Sequence, residues 1–297
     1  MLTKTSPSRG NGSPEVTGFY DEATGSIQYV AADPQSDTCV IIDAVLDFEP
    51  ANARTSTESV DEILSFVEKK GLSVAWILDT HPHADHFMAS SYLREKLNAP
   101  AAIGEKARDI ADLWRDLYHQ QNAFDVDSHF DRLVAEGEEL EFGTLGIRVM
   151  LTPGHTLGSV TYVIGDAAFV NDTFMHVDTG TARCDFPGGS ARELYSSLQS
   201  LLALPDETRL FVGHDYGNDN RDEAAWEATV SEHRDGNVHI GGGVSEAEFV
   251  ALREKRDATL PLPDRMLHAL QVNLRGGRLP ETEADGHSYL RIPLNRL

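Results

Sequence analysis

A short loop rich in possible metal ligands follows one of the apolar segments of this chain. The segment 81–86 reads HPHADH and comes just after the apolar run Val74–Leu78. Imidazole and carboxylate groups are ligands that suit Zn, Fe, Ni or Mn. Because open α/β sheets carry their chemistry in loops at the carboxyl ends of buried strands, this loop predicts a metal site at a strand end.

Three further polar groups follow along the chain in a matching order. A PGHT segment occupies 153–156, an NDT segment follows the apolar run 167–170, and a GHDY segment follows the apolar run 210–212. This recurrence favours a metal site assembled from strand ends over a polar loop with incidental histidines. The candidate ligands are His81, His83, Asp85, His86, His155, Asp172 and His214.

Strand and helix patterns alternate along the chain, which predicts an α/β or α+β fold. Paired strands are expected at 26–30 and 39–42, and further strands at 140–142, 147–151, 160–164 and 168–170. The expected helices lie near residues 59–70, 85–97, 105–117, 191–204, 224–232 and 245–258.

The length of 297 residues allows one large domain or two ordinary ones. Residues 1–15 are rich in Ser, Gly, Pro and Thr, which predicts a flexible leader before a single domain at 16–297. Two cysteines are too few for a disulfide framework. No apolar run of transmembrane length and no signal-peptide pattern is present, so a cytoplasmic enzyme is expected.

The chain is strongly acidic, with 25 basic against 48 acidic residues and a formal net charge of −23. Such a surface repels phosphates, which argues against nucleic acid and anionic membranes as partners. Strong self-repulsion is tolerable where salt screens it. The composition therefore suggests a halophilic, salt-adapted source, with an ordinary acidic cytosolic enzyme as the alternative.

Together, the HxHxDH loop, the PGHT segment, the Asp after a strand and the late GHD resemble the metallo-β-lactamase superfamily. Within it the chain is similar to the persulfide dioxygenases, also called sulfur dioxygenases. That likeness rests on 180–189 (GTARCDFPGG), 237–239, 248–253 and 271–275, and the resemblance runs from Gly18 to the C-terminus. It implies a four-layered αββα sandwich with a C-terminal extension at about 240–297.

The resemblance implies one Fe(II) per chain, held by His81, His155 and Asp172. Two histidines and one carboxylate form the facial triad of non-haem iron oxygenases and leave positions open for substrate and O2. The implied reaction converts glutathione persulfide, O2 and water into glutathione and sulfite. Asp85 and Tyr216 are the further catalytic candidates, and relatives of this kind suggest a homodimer.

A dinuclear site is the alternative, because the spacing of the ligands does not decide between one metal and two. In the two-metal hydrolases of the superfamily all seven positions are ligands, with the equivalent of Asp172 bridging two Zn or Fe ions. That arrangement implies a thioester hydrolase of the glyoxalase II kind acting on S-lactoylglutathione. A metal-bound sulfur sensor or scaffold is the non-enzymatic alternative.

Arg183 is the candidate for binding the glutathione part of the substrate, because its planar fork matches a carboxylate. The structural alternative is an ion pair with Asp185 or Asp178. Asn273 and Arg275 are weaker candidates for the same contact, while Cys184 is expected to be a packed or peripheral thiol.

Asn171 stands where relatives usually have Gly before the metal-binding Asp. Because Asn tolerates left-handed backbone best after Gly, a left-handed conformation is expected at this position.

If the acidic surface reflects salt adaptation, the melting temperature should rise between low and molar KCl as the salt screens like charges. Thermal melts over a series of KCl concentrations measure this directly. A melting temperature that does not change would contradict salt adaptation and would leave the metal-site hypotheses untouched.

Overall fold

Two β-sheets with helices on their outer faces build the fold, as seen in a computed structural model that describes residues 1–219 and 221–297. The strands are β1 (Leu2–Ser6), β2 (Glu15–Asp21), β3 (Ser26–Ala32), β4 (Thr38–Ile42), β5 (Val45–Glu49), β6 (Arg54–Ser56), β7 (Ser73–Asp79), β8 (Phe87–Met88), β9 (Ala101–Gly104), β10 (Arg132–Val134), β11 (Glu139–Phe142), β12 (Leu145–Leu151), β13 (Val160–Ile164), β14 (Ala167–Asn171), β15 (Arg209–Val212) and β16 (Glu227–Thr229). The helices are α1 (Glu58–Lys70), α2 (Ser90–Leu97), α3 (Ala107–Tyr118), α4 (Val126–His129), α5 (Ala191–Leu202), α6 (Val230–Gly236), α7 (Glu246–Asp257) and α8 (Met266–Asn273).

Over the described residues, the first sheet has the strand order β1-β2-β3-β4-β7-β9-β10 and the second has β11-β12-β13-β14-β15-β16. A small third sheet has the order β6-β5-β8. The first strands are antiparallel, including the predicted pair β3 and β4. Parallel pairing occurs between β4 and β7 and again between β14 and β15.

Alternating side chains along β4 show how the layers are packed. Val40 and Ile42 point into the core shared by the two sheets, whereas Cys39 and Ile41 point outwards to a second core that includes α1, α3 and α8. Apolar side chains of α5, α6 and α7 join the core on the side of the second sheet. The protein is therefore the four-layered αββα sandwich that the resemblance implied.

The parallel pairs bring the carboxyl ends of four strands to one edge of the sandwich. Strands β4 and β7 end there in the first sheet, and β14 and β15 end there in the second. The HPHADH loop follows β7, the NDT segment begins at the last residue of β14, and the GHDY loop follows β15. Sheet topology thus gathers the segments that the sequence singles out.

Several local predictions differ from the structure. The helix expected from residue 85 begins at Ser90, because β8 intervenes, and the helix expected at 224–232 is replaced by β16 followed by α6. Helix α1 ends at Lys70 as predicted, and Gly71 caps it in a left-handed conformation with φ 66°. No helix within residues 1–219 and 221–297 is long and apolar enough to cross a membrane.

The expectation of a flexible leader at residues 1–15 is wrong, because this segment is tied to the fold. Strand β1 pairs with β2 along its whole length. The guanidinium of Arg209, which is fully buried, pairs with Asp166 at 2.9 Å and donates to Ser6 Oγ at 3.0 Å and Ser13 Oγ at 3.2 Å. It also donates to two backbone carbonyls of the same segment. The amino-acid composition of residues 1–15 could not predict these contacts, because their partners lie far along the chain.

Deleting residues 1–14 should lower the free energy of unfolding by at least about 3 kcal/mol, since hydrogen bonds to a buried charged group are lost. Deleting only residues 1–5 removes most of β1 but keeps the partners of Arg209, so it should cost clearly less. Urea unfolding measures both. Equal losses for the two deletions would contradict the role assigned to Arg209.

Candidate metal centre

Three of the predicted ligands converge in one buried cluster. One ligand atom each from His81, His155 and Asp172 lie within 4.8 Å of one another. Asp172 Oδ2 is 3.9 Å from His81 Nε2 and 3.6 Å from His155 Nε2. These separations are too long for hydrogen bonds, and they suit ligand atoms arranged around a common ion. We call these three residues the first cluster.

The imidazoles of the first cluster are held with one nitrogen towards the site. His155 Nδ1 lies 2.7 Å from the carbonyl oxygen of Arg183, to which it donates, so Nε2 carries the lone pair that faces Asp172. Burial lowers the pKa of both His81 and His155, that of His81 well below its ordinary value. Neutral imidazole is the form that binds a metal.

A second cluster lies beside the first and consists of His83, Asp85 and His86, whose ligand atoms also lie within 4.8 Å of one another. Burial, with the neighbouring His83, lowers the pKa of His86 to about 4. His83 Nε2 lies 3.1 Å from an oxygen of Asp43, while its buried Nδ1 has no hydrogen-bond partner among the described residues. A buried imidazole nitrogen without a hydrogen-bond partner fits a metal ligand, so the donor set as a whole fits a metal ion.

His214 lies between the two clusters and binds a carboxylate of each. Its Nδ1 is 2.6 Å from Asp172 Oδ1, and its Nε2 is 2.6 Å from Asp85 Oδ2 and 2.9 Å from Ser26 Oγ. Burial opposes the charged ring, but Asp172 and Asp85 together raise the pKa of His214 well above its ordinary value. Both ring nitrogens therefore donate hydrogen bonds in this arrangement, and His214 would have to release a carboxylate before it ligated a metal.

Asp43 connects the HPHADH loop to the second sheet, a role that was not predicted from the sequence. Its carboxylate accepts hydrogen bonds from Thr80 N at 2.8 Å, His83 Nε2 at 3.1 Å and Asn171 Nδ2 at 2.9 Å. Asn171 adopts φ 48°, which confirms the left-handed backbone expected there. Asp43 directly follows the apolar end of β4, so the strand-end pattern used for the other ligands was also present here.

Tyr216 stands at the mouth of the centre. Its side chain is 66% exposed and its ring stacks on His214, with 5.5 Å between centroids. The loop that carries Tyr216 is held by the buried Asp215, which accepts two hydrogen bonds from Arg221, at 2.7 and 2.8 Å. Asp215 therefore fixes the loop on which Tyr216 lies.

A cavity of about 740 Å³ opens onto the centre. It reaches ligand candidates of both clusters and also contacts four arginines. The lining includes Asp85, His155, Asp172, His214 and Tyr216, with Arg183, Arg253, Arg256 and Arg265.

Arg183 adopts the structural alternative considered for it. Its Nε and Nη2 donate to both oxygens of Asp185 at 2.7 and 2.8 Å, and Nη1 donates to the carbonyl of Pro261 at 2.5 Å. The fork predicted to hold a substrate carboxylate is thus already engaged by a carboxylate of the protein. Asp178, the other partner considered, pairs with Arg221 instead.

Three other residues considered near the substrate have structural surroundings. Asn273 is fully buried, and the guanidinium of Arg275 lies over the Phe124 ring at 4.6 Å, so neither is placed for a carboxylate of a substrate. Cys184 is buried, its Sγ lies 3.4 Å from Asp257 Oδ2, and burial raises the pKa of the thiol to about 12. A packed or peripheral thiol was expected at this position.

A comparison with known protein families matches residues 26–214 to the metallo-beta-lactamase superfamily. The order of the motifs, the αββα sandwich and the clustered ligands are consistent with this match. The chain belongs to the metallo-β-lactamase superfamily. This membership supports a metal ion at the clustered histidines and aspartates.

Individual members of the superfamily show similarity to most of this chain. A beta-lactamase hydrolase-like protein of Xylella fastidiosa is 55% identical over 284 residues, covering 96% of this chain and 65% of that protein, so the chain spans under two thirds of that relative's length. Glyoxylase B2 of Dictyostelium discoideum is 41% identical over 286 residues, covering 95% of this chain and 97% of that protein.

Similarity also extends to persulfide dioxygenases within the superfamily. The human mitochondrial persulfide dioxygenase ETHE1 is 26% identical over 272 residues, covering 90% of this chain and 91% of that protein. The crystal structure of ETHE1 from Myxococcus xanthus matches with a TM-score of 0.70 and 30% identity, covering 88% of this chain and 98% of that one.

Replacing a residue of the first cluster should abolish metal binding, whereas His214→Ala should keep most of it. His155→Ala removes one of three convergent donors, while His214→Ala removes only hydrogen bonds to two carboxylates. Elemental analysis of the purified variants measures metal per chain. A loss in His214→Ala as complete as in His155→Ala would contradict a three-ligand site.

Proposed function

We propose that this protein is a mononuclear iron persulfide dioxygenase that oxidises glutathione persulfide with O2. In the overall reaction, glutathione persulfide, O2 and water give glutathione, sulfite and two protons. The observation that carries the proposal is the convergence of His81, His155 and Asp172 while both nitrogens of His214 are engaged by carboxylates. Two histidines and one carboxylate form the facial triad of non-haem iron oxygenases. The similarity to ETHE1 proteins adds support.

A bound Fe(II) would supply open coordination positions at which a persulfide sulfur and O2 can meet. The residues of the chain set the conditions around it. The Arg183 carbonyl fixes the tautomer of His155, and the imidazolium of His214 holds Asp172 Oδ1, which leaves Oδ2 towards the two histidines. Tyr216, at the cavity mouth, is the hydroxyl that we assign to orienting the substrate.

The anionic substrate also needs a cationic contact in a protein with a net charge of −23. Of the four arginines that line the cavity, Arg183 pairs with Asp185 and Arg253 pairs with Asp257. In the described part of the chain, Arg256 and Arg265 have no carboxylate partner; Arg265 makes only a 3.4 Å contact with a backbone carbonyl. We therefore assign the substrate carboxylates to these two residues rather than to Arg183.

Replacing Arg256 or Arg265 with Ala should raise KM for glutathione persulfide far more than it lowers kcat, because a contact remote from the reacting sulfur stabilises ground and transition states alike. A lost charge-assisted contact should reduce kcat/KM by about tenfold to a hundredfold. Arg183→Ala should mainly lower the melting temperature. If both Arg256→Ala and Arg265→Ala keep the wild-type KM and Arg183→Ala raises it, the assignment is wrong and Arg183 binds the substrate carboxylate.

The second candidate function is a dinuclear thioester hydrolase of the glyoxalase II kind. The second cluster of His83, Asp85 and His86 favours it, because it offers three more ligands beside the first cluster. The 41% identity to glyoxylase B2 favours it as well. Two metal ions about 3.5–4 Å apart would then activate water for hydrolysis.

One pair of assays separates the two functions. Protein loaded with Fe(II) under anaerobic conditions is given glutathione persulfide, and O2 uptake and sulfite release are measured together; loss of the S-lactoylglutathione thioester is measured in parallel. The proposal expects one sulfite per O2 and negligible hydrolysis, with both signals absent in His155→Ala. Thioester hydrolysis without O2 uptake would overturn it in favour of the hydrolase.

A further inference from the structure

A single side chain of the C-terminal segment donates hydrogen bonds to the backbone of the HPHADH loop. Asn273 is the last residue of α8 and is fully buried. Its Nδ2 donates to the carbonyl of His83 at 2.7 Å and to that of His86 at 2.8 Å, and its Oδ1 accepts from Met88 N at 2.8 Å. One amide thus contacts the backbone of two residues of the second cluster.

These hydrogen bonds satisfy groups that otherwise lack partners. In the ranges that the structure describes, neither the His83 nor the His86 carbonyl accepts a second hydrogen bond. The orientation of the amide is fixed by its partners, since the reverse orientation would place its oxygen against two carbonyls. A buried carbonyl without a donor is costly, so losing Asn273 would force the loop to rearrange.

The chain after α8 packs against the segment that follows the HPHADH loop. The carbonyl of Gly276 accepts a hydrogen bond from Ser91 N at 2.9 Å. Gly277 adopts φ 80°, and a Cβ at this position would collide with the carbonyl oxygen of Met88. The chain after α8 is therefore packed against β8 and the start of α2, which directly follow the ligand loop, and at Gly277 the distance is one that only glycine allows.

We propose that Asn273 is a positioning residue for the metal centre, which sets the placement of the HPHADH loop from outside the part of the chain that matches the superfamily. It contacts no ligand atom and acts through the backbone of His83 and His86. His83 is then fixed at two points, by Asn273 on its carbonyl and by Asp43 on its Nε2, and these contacts restrain the loop that also carries His81. Metal binding demands donor placement within a fraction of an ångström, so this restraint acts on metal affinity.

Gln271 offers a matched control in the same helix. It is equally buried, and its Nε2 donates to the carbonyls of Leu267 at 2.6 Å and Arg291 at 2.8 Å, while its Oε1 accepts from Arg291 N at 2.9 Å. It is thus another buried amide with three backbone hydrogen bonds, but these tie down the C-terminal tail and not the ligand loop.

The test compares Asn273→Ala with Gln271→Ala by two measurements on the full chain. Zn²⁺ affinity is obtained by competition with a chromophoric chelator, and the melting temperature is taken without metal. We expect both variants to lose stability, but only Asn273→Ala to bind Zn²⁺ more weakly, by about 10- to 100-fold, as for other groups that orient metal ligands. The absorption spectrum of bound Co²⁺ should change in Asn273→Ala alone.

Asn273→Asp is the second variant, used if Asn273→Ala does not fold. It keeps the volume and the acceptor for Met88 N but loses both donors, so it should also bind Zn²⁺ more weakly. Wild-type affinity in a folded Asn273 variant, or an equal loss of affinity in Gln271→Ala, would overturn the proposal. The comparison measures metal binding and not turnover, so it stands apart from the proposed dioxygenase activity.

Discussion

The placement of the candidate metal ligands depends most on the hydrogen bonds that Asp43 accepts. This buried carboxylate lies at the end of β4, holds the backbone after β7 through Thr80, and binds the side chain of Asn171 from β14. It thereby joins the two sheets at the edge where their parallel strands end. It also binds Nε2 of His83, whose Nδ1 has no hydrogen-bond partner among the described residues. The anionic form suits this position, because burial opposes the charge but His83 and the other donors lower the pKa of Asp43 overall.

The sequence predicted the centre better than its surroundings. The strand-end pattern identified the seven ligand candidates. An apolar run predicts a buried strand, and a His or Asp just after it is therefore expected at the carboxyl end of that strand. The four-layered fold was implied by the resemblance to the superfamily, whereas the pattern of strands and helices alone indicated only an α/β or α+β fold. The carboxyl ends of β4, β7, β14 and β15 meet at one edge as expected of parallel strands, and the left-handed Asn171 followed from residue chemistry.

Contacts between residues far apart in the chain could not be predicted from the sequence. Arg209 and its contacts with Ser6 and Ser13 connect residues about 200 positions apart, so local composition predicted a leader where the structure has a strand. For Arg183 the sequence offered two alternatives, a substrate carboxylate or an ion pair with Asp185 or Asp178, and local sequence does not choose between them; the structure has the Asp185 pair. Asn273 was only a weak candidate for the substrate, and its contacts with the carbonyls of His83 and His86 could not be predicted from the sequence.

The number of metal ions in the native protein is the central question, because two adjacent clusters are present and His214 bridges their carboxylates. Under the proposed mononuclear function, the hydrogen bonds of His214 keep it from the metal and leave the first cluster as a three-ligand iron site. The most direct measurement is elemental analysis combined with quantitative amino-acid analysis of protein purified without O2. We expect one iron and no second metal per chain. Two metal ions per chain would contradict the mononuclear site and favour the hydrolase.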